Sequence, residues 1–346
     1  MRIGQWKGRL GVAVAAFLGI GVLLAGCGVG SGTTSSVNQN TSPSQRQAAG
    51  PHSITLLLDW YPNVDHAWLY AALHEGYFQQ EGLDVRVQVP SDTTDPLKLV
   101  AAGKADLGIG YMKDVLIARS QGIPVKSVAA LVQHALNVVM SIDPSIRTPQ
   151  DLAGKRIGNS GTPADEAILR AIENKVGPVQ SINVGYELVP SLATHKVDAI
   201  VGGYVNVEQL ELKSKGFSVR AFPLTDFGIP DTYELVLLAS DTTVEHDPQM
   251  IQAFLRAAQR GQQYAEAHPD EAVAFLQAAS KDIDPKLTRE GMGILFPLQQ
   301  AEGHPFGWQE LSRWKAVDQW LQANALLAKP VDAKDAFWNV AGATSP

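Results

Sequence analysis

Aromatic and polar side chains follow predicted strands at several points of this sequence. Asp59, Trp60 and Asn63 come directly after a strand predicted over residues 54–58, and Tyr111 follows another predicted strand. Open α/β sheets bind ligands at the carboxyl ends of their strands, so these side chains are candidates for a ligand cleft. Aromatic faces stack on planar rings, and a few polar groups fix the orientation of the ring. The pattern predicts a site for a small planar solute.

A second group of candidates lies later in the chain. Tyr204, Asn206 and Glu208 follow a predicted strand just after two glycines, which allow the backbone to approach a cleft closely. The turn before residue 164 would begin a helix with Thr162 as the cap and Pro163 at the first position, leaving backbone amides free to bind an anion.

Two further candidates precede the last predicted strand. The complete set of candidate ligand-binding residues is Asp59, Trp60, Asn63, His66, Tyr111, Tyr204, Asn206, Glu208, Tyr233 and Glu234. Each of them has a structural alternative. Trp60 could be a core side chain, Asp59 and His66 could cap the following helix, and Asn63 could be a turn residue. Tyr233 and Glu234 could instead form a contact between lobes.

The common signatures of catalysis are missing from the sequence. No His-Glu-x-x-His, Gly-x-Ser-x-Gly or Gly-x-x-x-x-Gly-Lys-Ser/Thr motif occurs, and the eight histidines show no metal-ligand spacing. We therefore predict no catalytic residue, no metal and no cofactor, and a protein that is not an enzyme. The net charge of −7 and the lack of a Lys/Arg cluster disfavour nucleic acid, because phosphate binding requires a basic face.

The first 52 residues predict an export signal and a tether. A basic start, an apolar run over residues 10–24 and the sequence Leu-Ala-Gly before Cys27 form a lipobox, so residues 1–26 are interpreted as a lipoprotein signal peptide. Cys27, the only cysteine, would then carry the lipid, and the Gly/Ser/Thr-rich residues up to 52 would be a flexible tether. An uncleaved membrane anchor is the alternative. Cleavage would change the net charge from −7 to −10, because residues 1–26 hold three basic and no acidic residues.

The elements that must position the candidates alternate between short apolar runs and helical patterns. This alternation predicts βαβ units with mostly parallel sheets. We expect one lobe from residues 53–140 plus 240–346 and a second from 141–239, with long helices over 248–267, 270–279 and 308–325 closing the chain. A Lys-x-Asp sequence ending at Asp106 recurs at Asp198, which two lobes of similar plan would explain, although chance would explain it too.

The segments that carry these candidates resemble a known family. Residues 59–67, 75–78 and 81–85 resemble the solute-binding proteins of ABC importers for thiamin pyrimidine precursors, the ThiY-like group, and further matches are residues 101–106, 122–124, 154–158, 202–204 with 208, and 228–235. The resemblance implies a type II fold like that of periplasmic binding proteins, with two α/β lobes joined by two crossings. It also implies a ligand enclosed between the lobes and a membrane permease as the partner.

The same resemblance implies roles for individual residues. Trp60 and Tyr111 would stack on or flank an aminopyrimidine ring, and Glu208 would pair with its exocyclic amine and ring nitrogen. Asn63, Tyr204 and Asn206 would supplement these contacts.

Fungal hydroxymethylpyrimidine synthases share the opening motif with this chain. Their reactive histidine matches Asp114 here, and the stretch that matches their cysteine motif, residues 226–234, has no cysteine. Synthase activity is therefore disfavoured.

The sequence thus predicts a monomeric, lipid-anchored binding protein at the outer face of the cell membrane. It would capture a thiamin-related aminopyrimidine, such as formylaminopyrimidine, and deliver it to the permease of an ABC transporter. The alternatives are another small solute, such as riboflavin, a sulfonate or nitrate, and, from a different class, a synthase-type enzyme.

Overall fold

The computed structural model describes residues 51–301 and 303–339. The predicted signal peptide, Cys27 and nearly all of the tether lie outside the described residues. No helix within the described ranges is long and apolar enough to cross a membrane.

Two five-stranded sheets form the framework of the described residues. The strands are β1 (His52–Leu57), β2 (Leu83–Gln88), β3 (Leu107–Gly110), β4 (Val125–Ala130), β5 (Asn137–Ser141), β6 (Arg156–Asn159), β7 (Gln180–Asn183), β8 (Ala199–Tyr204), β9 (Arg220–Pro223) and β10 (Val236–Ser240). The first sheet has the order β2-β1-β3-β10-β4 and the second has the order β7-β6-β8-β5-β9. In each sheet the fourth strand runs antiparallel to both neighbours, and the other strands share one direction. The two sheets therefore follow the same plan.

Helices cover both sheets. They are α1 (Ala67–His74), α2 (Tyr77–Gln80), α3 (Asp95–Ala101), α4 (Met112–Ser120), α5 (Pro163–Val176), α6 (Leu188–Ala193), α7 (Glu208–Ser214), α8 (Asp241–His246), α9 (Pro248–Ala267), α10 (Pro269–Ala279), α11 (Pro285–Gln299) and α12 (Leu311–Ala323). Short 3₁₀ turns occur at Val64–His66, Pro149–Leu152, Leu224–Phe227 and Ala333–Asp335. The long closing helices predicted from the sequence correspond to α9, α10 and α12.

In both lobes, an aspartate side chain joins two neighbouring strands by the same pair of hydrogen bonds. Asp106, just before β3, accepts a hydrogen bond at Oδ2 from the amide of Thr55 in β1, at 2.7 Å. Asp198, just before β8, accepts one at Oδ2 from the amide of Arg156 in β6, at 2.9 Å. The carbonyl oxygens of Thr55 and Arg156 accept from the two aspartate amides in return. The Lys-x-Asp repeat therefore marks equivalent positions in two lobes of similar plan.

The chain passes between the sheets twice. It leaves the first sheet after β4 and enters the second at β5, so the passage lies before Asn137, earlier than the expected boundary at residue 140. Apolar periodicity did not show this, because β5 is buried at every residue and β4 at every residue except Lys126, and the pattern does not tell which sheet a strand joins. The chain returns through β10, which corresponds to the strand expected over residues 235–239 and belongs to the first sheet, so this passage lies before Val236, earlier than the expected boundary at residue 239.

Close packing of α9 on α1 supports the segment that carries the first candidates. Gly261 of α9 lies against the backbone of α1, since a Cβ built there would be 2.1 Å from the carbonyl oxygen of Trp68. Trp68 itself is 2% exposed and packs edge-on against Phe254, with ring centroids 6.2 Å apart. Trp68 is thus a core residue, and the start of α1 is fixed against the largest helix of the lobe.

Candidate functional site

A cleft between the lobes brings candidates from both sheets together. A small cavity of about 20 Å³ is lined by Trp60 and Tyr111, which follow β1 and β3, and by Asn137 and Tyr204 of the second sheet. The carboxyl ends of the parallel strands β1, β3 and β8 meet at the cleft, as the position rule for open sheets requires. Asn137 lies at the start of β5, which runs antiparallel to β8.

Two larger cavities adjoin this inner cavity. One of about 410 Å³ is lined by Trp60, Asn63, Asn206 and Glu208, and we call it the outer cavity. A cavity of about 180 Å³ lies beyond Tyr111 and is lined by Asp59, Asp114 and the start of α5. Trp60 borders the inner and outer cavities, and Tyr111 borders the inner cavity and the one beyond it. Eight of the ten predicted residues line one of these three spaces; His66 and Tyr233 do not.

His66 lies behind the cleft and holds Asp59 in place. It is fully buried, its Nδ1 accepts a hydrogen bond from the amide of Asn63 at 3.2 Å, and its Nε2 therefore donates to Oδ1 of Asp59 at 3.0 Å. The hydroxyl of Tyr111 donates to Oδ2 of Asp59 at 3.1 Å. Burial and the Asp59 carboxylate raise the pKa of Tyr111 well above its ordinary value, so the phenol stays a donor. His66 and Asp59 thus position the Tyr111 ring, and the prediction of a ligand contact from His66 is not supported by its location.

Asn63 has a structural role and also faces the cleft. Its Oδ1 accepts from the amide of Asp65 at 2.8 Å, which caps the 3₁₀ turn, and its side chain lines the outer cavity. The turn interpretation and the cleft interpretation therefore both describe this residue.

Asn206 joins the lobes. Its Nδ2 donates to Oδ1 of Asp65 at 2.7 Å, across the cleft, while Oδ2 of Asp65 and Oδ1 of Asn206 are buried without a hydrogen-bond partner in the described structure. Burial raises the pKa of Asp65 well above its ordinary value, and the nearby carboxyl groups of Asp59, Glu208 and Glu234 add to this effect.

Glu208 is a buried carboxyl group at the wall of the outer cavity. It begins α7, is 9% exposed, and accepts a hydrogen bond at Oε2 from the amide of Tyr204 at 2.7 Å. Burial raises the pKa of Glu208 to about 7, a larger effect than the opposing hydrogen bonds from the backbone. The group can therefore bind or release a proton close to neutral pH, in a cavity that Trp60 also lines.

Glu234 ties together the two crossings and also lines the inner cavity. Its Oε2 accepts from the amides of Leu136 and Asn137, at 2.8 and 2.9 Å, where the chain enters β5. Burial raises the pKa of Glu234. The contact between crossing segments, one of the two interpretations of the sequence, is present for this residue.

Tyr233 lies on the far side of the crossing and outside the cleft. Its hydroxyl accepts from the amide of Glu310 at 2.6 Å, and its ring packs under the guanidinium of Arg313 at 4.6 Å. It lines a separate cavity of about 170 Å³. The structure does not place Tyr233 among the residues that line the three cleft cavities; its ring packs against Arg313 of α12 instead.

Sequence reasoning missed several cleft residues. Lys113 and Asp165 line the inner cavity together with Ser160, whose amide donates to Oδ2 of Asp165 at 2.9 Å. Gly202, at φ +87°, brings its backbone close to Asp165, where a Cβ would lie 3.2 Å from Oδ1. The only sequence signals were the position of Lys113 two residues after Tyr111 and of Asp165 in the first turn of α5.

An aromatic contact across the cleft was also missed. Tyr186, between β7 and α6, meets Trp60 edge-on with ring centroids 4.4 Å apart and meets Tyr61 at 4.7 Å. Its hydroxyl donates to the carbonyl oxygen of Pro90, in the first lobe, at 3.2 Å. Thr93 adds a second bridge by donating to the carbonyl oxygen of Ser160 at 2.9 Å. The lobes are therefore held together at the mouth of the cleft.

The carboxyl groups around the cleft are not arranged as a metal site. Within the described ranges, no group of three or more His, Cys, Asp or Glu side chains could hold a metal ion.

Comparisons with known proteins place this chain in a sequence family and a fold. Residues 63–272 match the family described as NMT1/THI5 like. A formylaminopyrimidine-binding protein of Halalkalibacterium halodurans is 37% identical over 83% of this chain and 90% of its own length. A protein of Haemophilus influenzae named for thiamine biosynthesis is 29% identical over 82% of this chain and 90% of its own length.

A solved structure shows the same fold. The alkanesulfonate-binding protein SsuA of Xanthomonas axonopodis pv. citri, bound to MOPS, superposes with a TM-score of 0.66 at 17% identity, over 84% of this chain and 100% of that chain. The fold is that of the periplasmic binding proteins, with two α/β lobes joined by two crossings, as predicted from the sequence.

Proposed function

The chain belongs to the NMT1/THI5-like family, and on this basis we propose that it is a solute-binding protein that captures a thiamin-related aminopyrimidine, such as formylaminopyrimidine, between its lobes. The solute is then delivered to the permease of an ABC importer. The protein catalyses no reaction.

The observation that carries this proposal is the pairing of Trp60 with Glu208 in one cavity. The outer cavity, at about 410 Å³, is within the range of roughly 300–1,000 Å³ common for small-molecule sites. Its lining includes the aromatic residues Trp60, Tyr61 and Tyr186 and the buried carboxyl group of Glu208, the two kinds of group that an aminopyrimidine needs for stacking and for pairing.

The protonation state of Glu208 suits this ligand in either form. An aminopyrimidine carries an N–H donor beside a ring nitrogen. An ionised carboxylate pairs with the ring-protonated base, and a protonated carboxyl pairs with the neutral base, through two parallel hydrogen bonds in both cases. With its pKa raised to about 7 by burial, Glu208 can supply either arrangement near neutral pH.

The charges around the cleft argue against the anionic alternatives. Among the described residues, the three cavities are lined by three lysines, Lys98, Lys113 and Lys215, and by eight carboxyl side chains, Asp59, Asp114, Asp165, Glu208, Glu211, Glu234, Asp282 and Asp284. A sulfonate or nitrate would face these carboxyl groups, so both are disfavoured as ligands. Riboflavin would use the same aromatic walls and remains the second candidate in the binding class.

The enzyme alternative is disfavoured by the residue at the position of the synthase histidine. Asp114 lies in the cavity beyond Tyr111, with Oδ1 buried and without a hydrogen-bond partner in the described residues. A carboxyl group does not carry the imidazole that the synthases consume. Intact-mass spectrometry after incubation with ligand and iron(II) is expected to show an unchanged protein mass; a specific loss of mass would revive the synthase hypothesis.

The site of action follows from the N-terminal sequence. We expect Cys27 to carry a lipid that holds a monomeric protein at the outer face of the cell membrane, close to its permease. A Cys27→Ser variant should be released from the membrane fraction, whereas the unchanged protein should remain with it. Equal distribution of the two would contradict lipid anchoring.

The ligand is tested by a thermal-shift and calorimetry panel. The purified protein is screened against formylaminopyrimidine, hydroxymethylpyrimidine, thiamin, riboflavin, taurine and nitrate, since a ligand that binds only the folded state raises the melting temperature. A selective shift with a pyrimidine, and calorimetric binding of one molecule per chain, is the expected result. If only riboflavin or only an anion raised the melting temperature, the proposal that the ligand is an aminopyrimidine would be refuted.

A further inference from the structure

A buried lysine lies in the wall of the inner cavity. Lys113 is the second residue of α4, is 3% exposed, and shares this wall with Trp60, Tyr111 and Asp165. A lysine in this position is unexpected, because ammonium groups are rarely buried unless they are paired.

The protein leaves most of the hydrogen-bonding capacity of Lys113 unused. An ammonium group has three N–H donors, and among the described residues Nζ makes one hydrogen bond, to Oγ1 of Thr232 at 3.3 Å. In the described part of the chain, no carboxylate lies within 4.0 Å of Nζ, the limit for an ion pair. Burying a cation with open donors is costly, so the site gains free energy when an acceptor reaches Nζ.

One oxygen of each nearby carboxyl group accepts hydrogen bonds from other groups, and neither carboxyl group lies within ion-pair distance of Nζ. Oδ2 of Asp165 accepts from the amide and the hydroxyl of Ser160, and Oε2 of Glu234 accepts from two backbone amides. These groups act on Lys113 through space rather than by direct contact. The negative charges of these carboxyl groups compensate the charge of Lys113, but they do not accept hydrogen bonds from its N–H donors.

Trp60 borders both the cavity that Glu208 lines and the cavity that Lys113 lines. Glu208 lines the outer cavity, and Lys113 lines the inner cavity. A solute that stacks on Trp60, pairs with Glu208 in the outer cavity and extends its substituent into the inner cavity would bring that substituent to Lys113.

We infer that Lys113 is a specificity-determining residue, whose ammonium group donates to an oxygen acceptor on the ligand substituent. This inference rests on the proposed function and deepens it: the solute is a pyrimidine whose side chain ends in a carbonyl or hydroxyl oxygen. An analogue whose side chain ends in an ammonium group is rejected, because it brings a second cation against Lys113 in a site with little water.

The test compares two ligands and three proteins by calorimetry. The ligands are formylaminopyrimidine and the aminomethyl analogue; the proteins are the wild type, Lys113→Met, and Lys104→Met as a control at an exposed lysine. The wild type and the control should prefer the formyl compound by about tenfold or more, since a hydrogen bond to a charged group is at stake. Lys113→Met should lose about tenfold or more in affinity for the formyl compound and much less for the aminomethyl compound. The ratio of the two affinities should therefore be smaller in Lys113→Met than in the wild type.

The outcomes separate the inference from the proposed function. A wild type that binds neither pyrimidine refutes the proposed function. A wild type that binds them, with the same ratio in Lys113→Met, refutes the role of Lys113 alone, because a merely structural lysine would weaken both ligands in parallel.

A measurement on the wild type guards against a variant that fails to fold. The 5-methyl analogue has no acceptor oxygen, and its affinity should be lower than that of the formyl compound by about tenfold or more. Equal affinity would overturn the inference without any substitution in the protein.

Discussion

Removal of the aromatic bridge at the mouth of the cleft should weaken ligand binding while leaving each lobe folded. Tyr186 contacts Trp60 and Tyr61 across the cleft and donates to the carbonyl oxygen of Pro90. If the lobes close around the ligand, these contacts form only in the closed state. They then add to the measured affinity, because any interaction unique to the bound conformation shifts the population toward it.

The size of the effect follows from the contacts. Each aromatic pair contributes about 0.5–1.5 kcal/mol beyond its buried area. The hydroxyl contributes about 0.5–1.5 kcal/mol through its hydrogen bond. Tyr61 is 52% exposed, so its pair belongs to the lower end of the range. We therefore expect Tyr186→Ala to weaken binding by about 1.5–3 kcal/mol, or roughly 10- to 150-fold.

A matched variant separates the ring from the hydroxyl. Tyr186→Phe keeps both aromatic contacts and loses only the hydrogen bond to Pro90, so its loss should be about 0.5–1.5 kcal/mol. The affinities are measured by isothermal titration calorimetry with the pyrimidine found in the ligand screen, and the melting temperature without ligand serves as the folding control. Wild-type affinity in Tyr186→Ala would refute the closure argument, and equal losses in the two variants would show that the rings contribute nothing.

Three further perturbations test the site. Burial raises the pKa of Glu208 and of Asp114 to about 7, so the folded protein holds protons that the unfolded chain releases near its ordinary values of 4.5 and 3.8. The free energy of unfolding that these groups contribute should therefore fall as the pH rises toward about 7. In chemical denaturation between pH 5 and 8, the free energy of unfolding of Glu208→Gln should fall less steeply with pH than that of the wild type. An unchanged slope would mean that the pKa of Glu208 is not raised. Trp60→Ala and Glu208→Gln should each weaken pyrimidine binding by about 1–3 kcal/mol in calorimetry, and wild-type affinity in both would show that the ligand lies elsewhere. Tyr233→Phe should keep wild-type affinity but lower the free energy of unfolding by about 0.5–1.5 kcal/mol, because the acceptor for the Glu310 amide is removed. A loss of affinity instead would show that Tyr233 contributes to ligand binding.

The fold was readable from local patterns. Alternation of apolar runs with helical spacing predicted two α/β lobes, and Thr162 with Pro163 predicted the start of α5, where the side chain of Thr162 accepts from the amide of Asp165. Such features depend on residues close together in the sequence, so they can be predicted without knowledge of the tertiary structure. The strand that first enters the second lobe was assigned to the wrong sheet at its start, because strand pairing is a long-range choice.

The candidate site was readable in part. The position of Trp60, Tyr111 and Glu208 after predicted strands follows from the rule that ligands bind at strand ends, and all three line the cleft. The same rule could not distinguish the residues that face the cleft from those that support it. His66 is an example, because only the tertiary structure shows that it hydrogen-bonds to Asp59 and lines none of the three cleft cavities.

The sequence by itself determined that the chain forms two α/β lobes, several of their helices and strands, and the family of this protein, because hydrophobic period, capping residues and motifs are local properties of the chain. The tertiary structure alone decided which side chains meet. It placed Tyr186 on Trp60, turned Tyr233 away toward α12, and buried Lys113 with open donors in the wall of the inner cavity. These are contacts between residues far apart in sequence, and the direction of a side chain in such a contact is fixed by packing, which no spacing encodes.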